Sequence, residues 1–203
     1  MVRRLTGVTA PALTIRMKKA PDGSVAMSCT RADGTVTWQR QDPAKAQFFV
    51  RHDLTHYALE TVLGHRRGFY GLVAEGWDFT DFGSPWPRGP IPADADPSEL
   101  WVGFLDAEYA GRGTGDGSDP VELTAADLNA QAAAFYAHHR FPNPPTITDE
   151  QLGRIREVLT DLLTRWQRLP PGEVLDLRFD PRPPSVSSDA LSTQRSRRRG
   201  SGR

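Results

Sequence analysis

The chain has 203 residues, of which 38% are hydrophobic, and its formal net charge is zero. This length suits one domain with an apolar core. The single cysteine, Cys29, excludes an internal disulfide and a cysteine-rich zinc site. We expect residues 1–180 to form a single globular domain, and residues 181–203, rich in arginine, serine and proline, to form a disordered tail.

The distribution of charge limits the classes of partner. Five arginines and no acid lie in residues 195–203, so the rest of the chain is mildly acidic. We therefore expect nucleic acid to bind, if anywhere, only through this Arg-rich tail. No apolar run approaches the roughly 20 residues that span a bilayer, and no signal-peptide pattern follows Met1. We expect a cytoplasmic protein with no membrane partner, and the composition carries no information on its oligomeric state.

The first part of the chain alternates apolar and polar residues with the period of 2 that is typical of strands. Three such stretches lie within residues 13–39 and are separated by two Asp-Gly turns. They predict an antiparallel meander with one apolar face, to which Val36 and Trp38 should contribute. A fourth alternating stretch, residues 175–179, predicts a strand that returns to an edge of the same sheet.

Capping residues and helical spacing predict helices between these strands. Asp42-Pro43 opens the first helix, which should end at Leu63 before Gly64. Apolar residues surround most of this helix, with Lys45 and Arg51 as its solvated positions, so we expect it to lie across the sheet beneath other helices. The other predicted helices are a short one from Phe69, one over 97–109 (with a strand at 100–105 as the alternative), one from Thr124 to His139, and one after the capping box at Thr148. The predicted fold is α+β: an antiparallel sheet of about four strands covered on one face by four to five helices.

Two histidines, His52 and His56, are one turn apart in the first predicted helix. Side chains at i and i+4 project to the same side, so one ion could be bound by both. The pattern is similar to the HExxH of metalloproteases, where the glutamate activates a metal-bound water. Here Asp53 takes the place of that glutamate, and its shorter side chain argues against peptide hydrolysis. We predict His52 and His56 as metal ligands and Asp53 as a catalytic or ring-orienting carboxylate.

A third ligand has to come from another part of the chain. Glu60 lies about 9 Å further along the helix axis than the expected ion, which is too far. We expect Glu75 to be the third ligand, because the chain turns at Gly64 and can return alongside the helix. Asp78 and Asp81 are the alternatives.

The HDxxH core resembles the metal motif of the coenzyme Q biosynthesis protein family. In that family a glutamate follows at a fixed distance, and this chain has Gly68 there. The longer strings HDLTHYALE and GFYGLVAEGW resemble a group of bacterial proteins of unknown function. The resemblance covers about residues 48–77 and implies His52 and His56 as ligands and Asp53 as a supporting carboxylate. It implies no activity.

Two hypotheses of function stay open. In the first, the chain binds zinc or another divalent metal, and any catalysis is a metal-dependent hydrolase or lyase reaction on an unknown small molecule. In the second, it is a non-catalytic interaction or structural domain, in which Asp53 and Glu60 satisfy buried histidines. Neighbouring aromatic residues could line a pocket or pack in the core, and we expect Trp86 to order a Pro-rich loop by packing against the body. These aromatic residues are Phe69, Tyr70, Trp77, Phe79, Phe82, Trp86 and Trp101.

Overall fold

The computed structural model describes residues 13–111 and 122–180, so the tail at 181–203 lies outside the described residues. The described chain forms four strands and five α-helices, which confirms the predicted α+β class. In chain order they are β1 (Leu13–Lys19), β2 (Val25–Thr30), β3 (Val36–Gln41), α1 (Pro43–Leu63), α2 (Phe69–Ala74), α3 (Ser98–Gly111), α4 (Ala125–His139), α5 (Asp149–Arg168) and β4 (Val174–Phe179). A short 3₁₀ turn, Phe79–Phe82, follows α2.

The four strands form one antiparallel sheet in the order β3-β2-β1-β4. The meander is confirmed, and the returning strand β4 pairs with the β1 edge. Ile15 at the centre of β1 lies opposite Cys29 of β2 and Leu177 of β4. All three side chains are buried on the same face of the sheet, where the helices cover them. Burial on this face raises the pKa of the Cys29 thiol far above its usual value.

The expected orientation of β3 is wrong. Val36 and Trp38 are 52% and 68% exposed on the outer face, whereas Thr37 is buried on the inner face. The register explains this result, because Thr37 lies opposite the buried Cys29 and Trp38 lies opposite Ser28. The Thr37 hydroxyl accepts a hydrogen bond from the backbone N–H of Phe79 at 3.0 Å. The inner edge of the sheet is therefore polar where it meets the 3₁₀ turn.

Helix α1 is the central element of the helical layer. It begins at Pro43 and ends at Leu63, and Gly64 adopts the left-handed conformation (φ 67°) that ends a helix without a side-chain penalty. It contacts β2 and β3 on one side and α2, α3 and α5 on others, as its nearly uniform apolar surface predicts. The expectation that Arg51 is solvated is wrong: its side chain is 12% exposed and bound to α3.

Helix α3 extends from Ser98 to Gly111, which excludes the alternative strand at 100–105. The loop before it, residues 84–95, is attached to the body mainly by arginines rather than by Trp86, whose side chain is 47% exposed. Arg67 pairs with Asp94, and Arg88 donates to the carbonyl of Gly76. Among the described residues, no helix combines the length and the apolar composition needed to cross a membrane.

Candidate metal centre

Helices α1 and α3 bring three potential metal ligands together. His52 and His56 project from the middle of α1, and Glu99 projects from the first turn of α3. One potential ligand atom from each residue lies within 4.8 Å of the other two. Ligands of a tetrahedral zinc ion at about 2.1 Å lie about 3.4 Å apart. The Glu99 side chain is 78% exposed and free to close this difference by a change of rotamer.

His52 is oriented by a carboxylate on α3. Its Nδ1 donates to Asp106 at 2.8 Å, and Asp106 also accepts from Arg51 at 2.8 Å. The Arg51 guanidinium packs over the Tyr109 ring, 3.7 Å from the ring centre, so the whole group is held in place. Nε2 of His52 has no hydrogen bond within the described chain. This nitrogen is therefore available to a ligand.

His56 lies between two carboxylates. Its Nδ1 donates to Glu60 and its Nε2 to Glu99, each at 3.1 Å. Burial alone would lower the pKa of His56, but the hydrogen bonds and charges of Glu60 and Glu99 outweigh it and raise the pKa to about 9. The bond to His56 in turn lowers the pKa of Glu99. Without metal, the proton on Nε2 of His56 lies between this nitrogen and the Glu99 carboxylate. A metal ion bound by both groups would replace this proton.

Glu60 fixes the geometry on the inner side of this cluster. Its carboxylate is 1% exposed and accepts hydrogen bonds from His56 and from the backbone N–H groups of Phe69 and Tyr70, at 2.7 and 3.0 Å. It therefore joins α1 to the N-terminus of α2, where a negative charge is favourable. Gly68 makes this approach possible, because a Cβ there would lie 2.5 Å from Cδ of Glu60 and 2.2 Å from Oγ of Ser98. On this side of the cluster, the Glu60 carboxylate binds His56 as the structural hypothesis expects.

Asp53 has a different environment from Glu60. It is 5% exposed, and no group in the described part of the chain hydrogen-bonds its carboxylate. Burial raises its pKa to about 7, although the positive charges of His52 and His56 act in the opposite direction. The carboxylate lines the same cavity as the two imidazoles. The structural hypothesis required Asp53 to hydrogen-bond one of the histidines, and it bonds neither.

The cluster forms one end of a cavity of about 430 Å³. Ligand pockets commonly have volumes of about 300–1,000 Å³. Four of the predicted aromatic residues line it, namely Phe69, Phe79, Phe82 and Trp86. Tyr70, Trp77 and Trp101 are buried in the body instead. The aromatic set therefore divides between pocket and core, and the histidines have an opening to solvent through the pocket.

The structure does not bring Glu75 to the histidines. Its carboxylate, at the end of α2, binds the Arg67 guanidinium at 3.0 Å. Asp78 pairs with Arg31, and Asp81 forms a capping box with the backbone of Asp78. None of the three belongs to the cluster that Glu99 completes.

Glu99 and Asp106, which sequence reasoning missed, have a recognisable spacing. They are related as i and i+7 in α3, so both project from the same side of the helix. Two acids on one side of a largely apolar helix were the available signal, but the partner helix could not be identified from spacing alone.

The chain matches no protein-family model, no curated protein and no solved structure.

Proposed function

We propose that the protein binds one divalent metal ion through Nε2 of His52, Nε2 of His56 and a carboxylate oxygen of Glu99. The observation that carries the proposal is that the two nitrogens of each ring have different surroundings. Both Nδ1 atoms are held by carboxylates, Asp106 and Glu60, while the potential ligand atoms gather at the cavity wall. Metal-ligating histidines are oriented by this carboxylate–histidine arrangement.

Zinc is the ion that we propose, with another divalent transition metal such as iron(II) as the alternative. Two imidazoles and one carboxylate form catalytic zinc sites, and the same ligand set holds iron(II) in oxygenases. In either case three protein ligands leave coordination positions open. A bound divalent ion would supply Lewis acidity and an acidified water.

Asp53 is our candidate for the proton acceptor in a hydrolytic or lyase reaction. Its carboxylate lines the cavity beside both imidazoles and carries no competing hydrogen bond in the described chain. A general base has to lie within hydrogen-bonding reach of the group that loses its proton. Asp106 and Glu60 cannot take this role without releasing the histidine rings that they orient.

Zinc binding by untagged protein tests the proposal. The metal-free protein is titrated calorimetrically at about pH 7.5, where a bound metal has to displace the proton that the raised pKa of His56 keeps on its ring. The Co²⁺ form reports nitrogen coordination by its visible absorption. We expect one equivalent to bind. His52→Gln and Glu99→Gln should each weaken binding by about 100-fold or more, since both remove a ligand. Both side chains are partly exposed, so these variants are expected to fold.

Glu75→Gln is the matched control, because it removes a carboxylate that is bound to Arg67 and lies outside the cluster. Circular dichroism establishes that each variant is folded. Unchanged zinc affinity in both His52→Gln and Glu99→Gln would overturn the proposal. So would the absence of zinc binding by the folded parent protein, and the histidines would then be structural.

A further inference from the structure

We infer that the cavity binds a neutral, ring-containing organic molecule whose one oxygen group faces His52 and His56. The orientation of that oxygen rests on the proposed metal site. The chemical class of the molecule rests on the walls of the cavity, which do not depend on a metal.

The inner wall is built from aromatic rings. Phe69 and Phe79 stack nearly parallel, at 8° and with 5.8 Å between their centres. The Phe82 ring lies 4.8 Å from that of Phe69 and inclines by 54°. All three rings line the cavity, and an aromatic ligand packs well against such rings by offset stacking or edge contacts.

The outer wall keeps large apolar side chains in contact with solvent. Trp86 and Ile91, both in the loop before α3, are 47% and 39% exposed and line the cavity. Trp86 also has φ of 58°, which is unfavourable for a bulky L-residue. Hydrogen bonds on both sides hold it there: its N–H donates to Gly83 at 2.7 Å, and its carbonyl accepts from Gly89 at 2.9 Å. The loop therefore maintains an indole at the cavity without burying it.

The charges of the cavity exclude a strongly anionic ligand. Arg67 is the one lysine or arginine among the described lining residues, and Glu75 and Asp94 already bind its guanidinium. The acidic residues Asp53, Asp96 and Glu99 line the same cavity as the two histidines. A phosphate ester would meet these carboxylates, and the protonated His56 beside them is already paired with Glu60 and Glu99. A phenol or ketone would meet hydrogen-bonding groups and aromatic rings without that repulsion.

Binding of 2-naphthol and 2-naphthyl phosphate tests this class. Both are titrated calorimetrically into metal-free protein in EDTA, so that the result does not depend on zinc. We expect 2-naphthol to bind with a Kd below about 1 mM and the phosphate ester to bind at least about tenfold more weakly. Trp86→Ala should weaken 2-naphthol binding by about tenfold. Trp38→Ala should leave it unchanged, because Trp38 is exposed on the opposite face of β3.

A second titration tests the orientation. Zinc should strengthen 2-naphthol binding several-fold in the parent protein and should have no such effect in Glu99→Gln. Equal affinity for the phosphate ester, equal loss in Trp86→Ala and Trp38→Ala, or no binding of 2-naphthol overturns the inference, whatever the zinc result. If zinc does not bind but Trp86 controls naphthol affinity, the proposed metal site fails and the ligand class stands.

Discussion

Two carboxylates of α1, Glu60 and Asp53, are buried to nearly the same extent but have opposite surroundings. Glu60 accepts three hydrogen bonds, from an imidazole and from two backbone amides. Asp53 accepts none within the described chain, and its carboxylate borders a cavity. An ionised carboxylate in the interior needs hydrogen bonds or solvent to offset its desolvation. Glu60 has the hydrogen bonds, whereas Asp53 has only the cavity that it borders, so its charged form is the less favourable of the two.

The difference shows which part of the polar cluster serves the structure. The Glu60 side joins α1 to α2 and would be needed in a protein with no ligand at all. In the described chain, the Asp53 carboxylate accepts no hydrogen bond that would offset its burial. Ionisable groups held in unfavourable surroundings concentrate at functional sites. Asp53 and Nε2 of His52 are therefore the groups of the cluster that we expect to act on a ligand.

Removing Glu60 should have the largest effect on stability. Glu60→Ala leaves Nδ1 of His56 and the amides of Phe69 and Tyr70 without their acceptor, which should cost about 3–5 kcal/mol. Urea denaturation in EDTA measures this loss without a contribution from metal. Glu157→Ala, which removes an exposed carboxylate from α5, should cost less than about 0.5 kcal/mol. Similar losses in the two variants would show that Glu60 does not hold α1 to α2.

Gly68→Ala tests the same contact without changing the carboxylate. The added Cβ would lie 2.2 Å from Oγ of Ser98 and 2.5 Å from Cδ of Glu60, so both groups must move. We expect a loss of about 1–3 kcal/mol by urea denaturation. The control is Gly153→Ala in α5, where no atom lies within 4 Å of the new Cβ. That change should stabilise the protein by about 0.5–1 kcal/mol. A comparable loss there would show that the cost at Gly68 does not come from its contacts with Glu60 and Ser98.

Asp53→Asn should stabilise the metal-free protein, and the gain should depend on pH. The pKa of Asp53 is raised from 3.8 to about 7, so the folded state holds a proton that the unfolded state has released. Stability therefore falls as pH rises from about 4 to about 7, and the penalty is complete above that range. We expect Asn to gain about 1–2 kcal/mol at pH 8 and nothing near pH 4. An equal difference at both values, by urea denaturation, would show that Asp53 is not destabilised by its charge.

Glu75→Gln should cost less stability than Glu60→Ala or Gly68→Ala. Its partner Arg67 has a second acidic partner in Asp94, and the pair is partly exposed, so the loss should be below about 1 kcal/mol. Thermal denaturation measures the stability change. Glu75 thereby provides a partly exposed reference for the two buried carboxylates, and a loss comparable to that of Glu60→Ala would show that exposure does not determine the cost.

Local signals in the sequence predicted most elements of the fold. Asp42-Pro43 and Gly64 marked both ends of α1, and the capping box at Thr148 marked the start of α5. The orientation of β3 was mispredicted, because Val36 and Trp38 alternate as regularly as Thr37 and Gln39. The register with β2, which places Thr37 opposite the buried Cys29, turns Thr37 and Gln39 inwards, and Gln39 lines the cavity. An apolar pattern cannot recognise an inner face that is polar because it borders a pocket.

The candidate site was only half predictable for a related reason. His52, Asp53 and His56 share one helix, so their spacing alone placed them together. Glu99 comes from α3, and its approach depends on how α3 packs against α1. Sequence distance favoured Glu75, but α2 directs that residue towards Arg67.

The pairing of β4 with β1 has a consequence for synthesis of the protein. Leu13 lies opposite Phe179, so β1, near the start of the described chain, can pair on this side only after β4 has been synthesised. Until the ribosome has released β4, β1 presents an unpaired edge, and its fully buried side chains Leu13, Ile15 and Met17 lack neighbours on one side. The nascent chain therefore cannot complete this sheet before β4 has emerged, and in that interval the unpaired edge of β1 is exposed to aggregation and to chaperones.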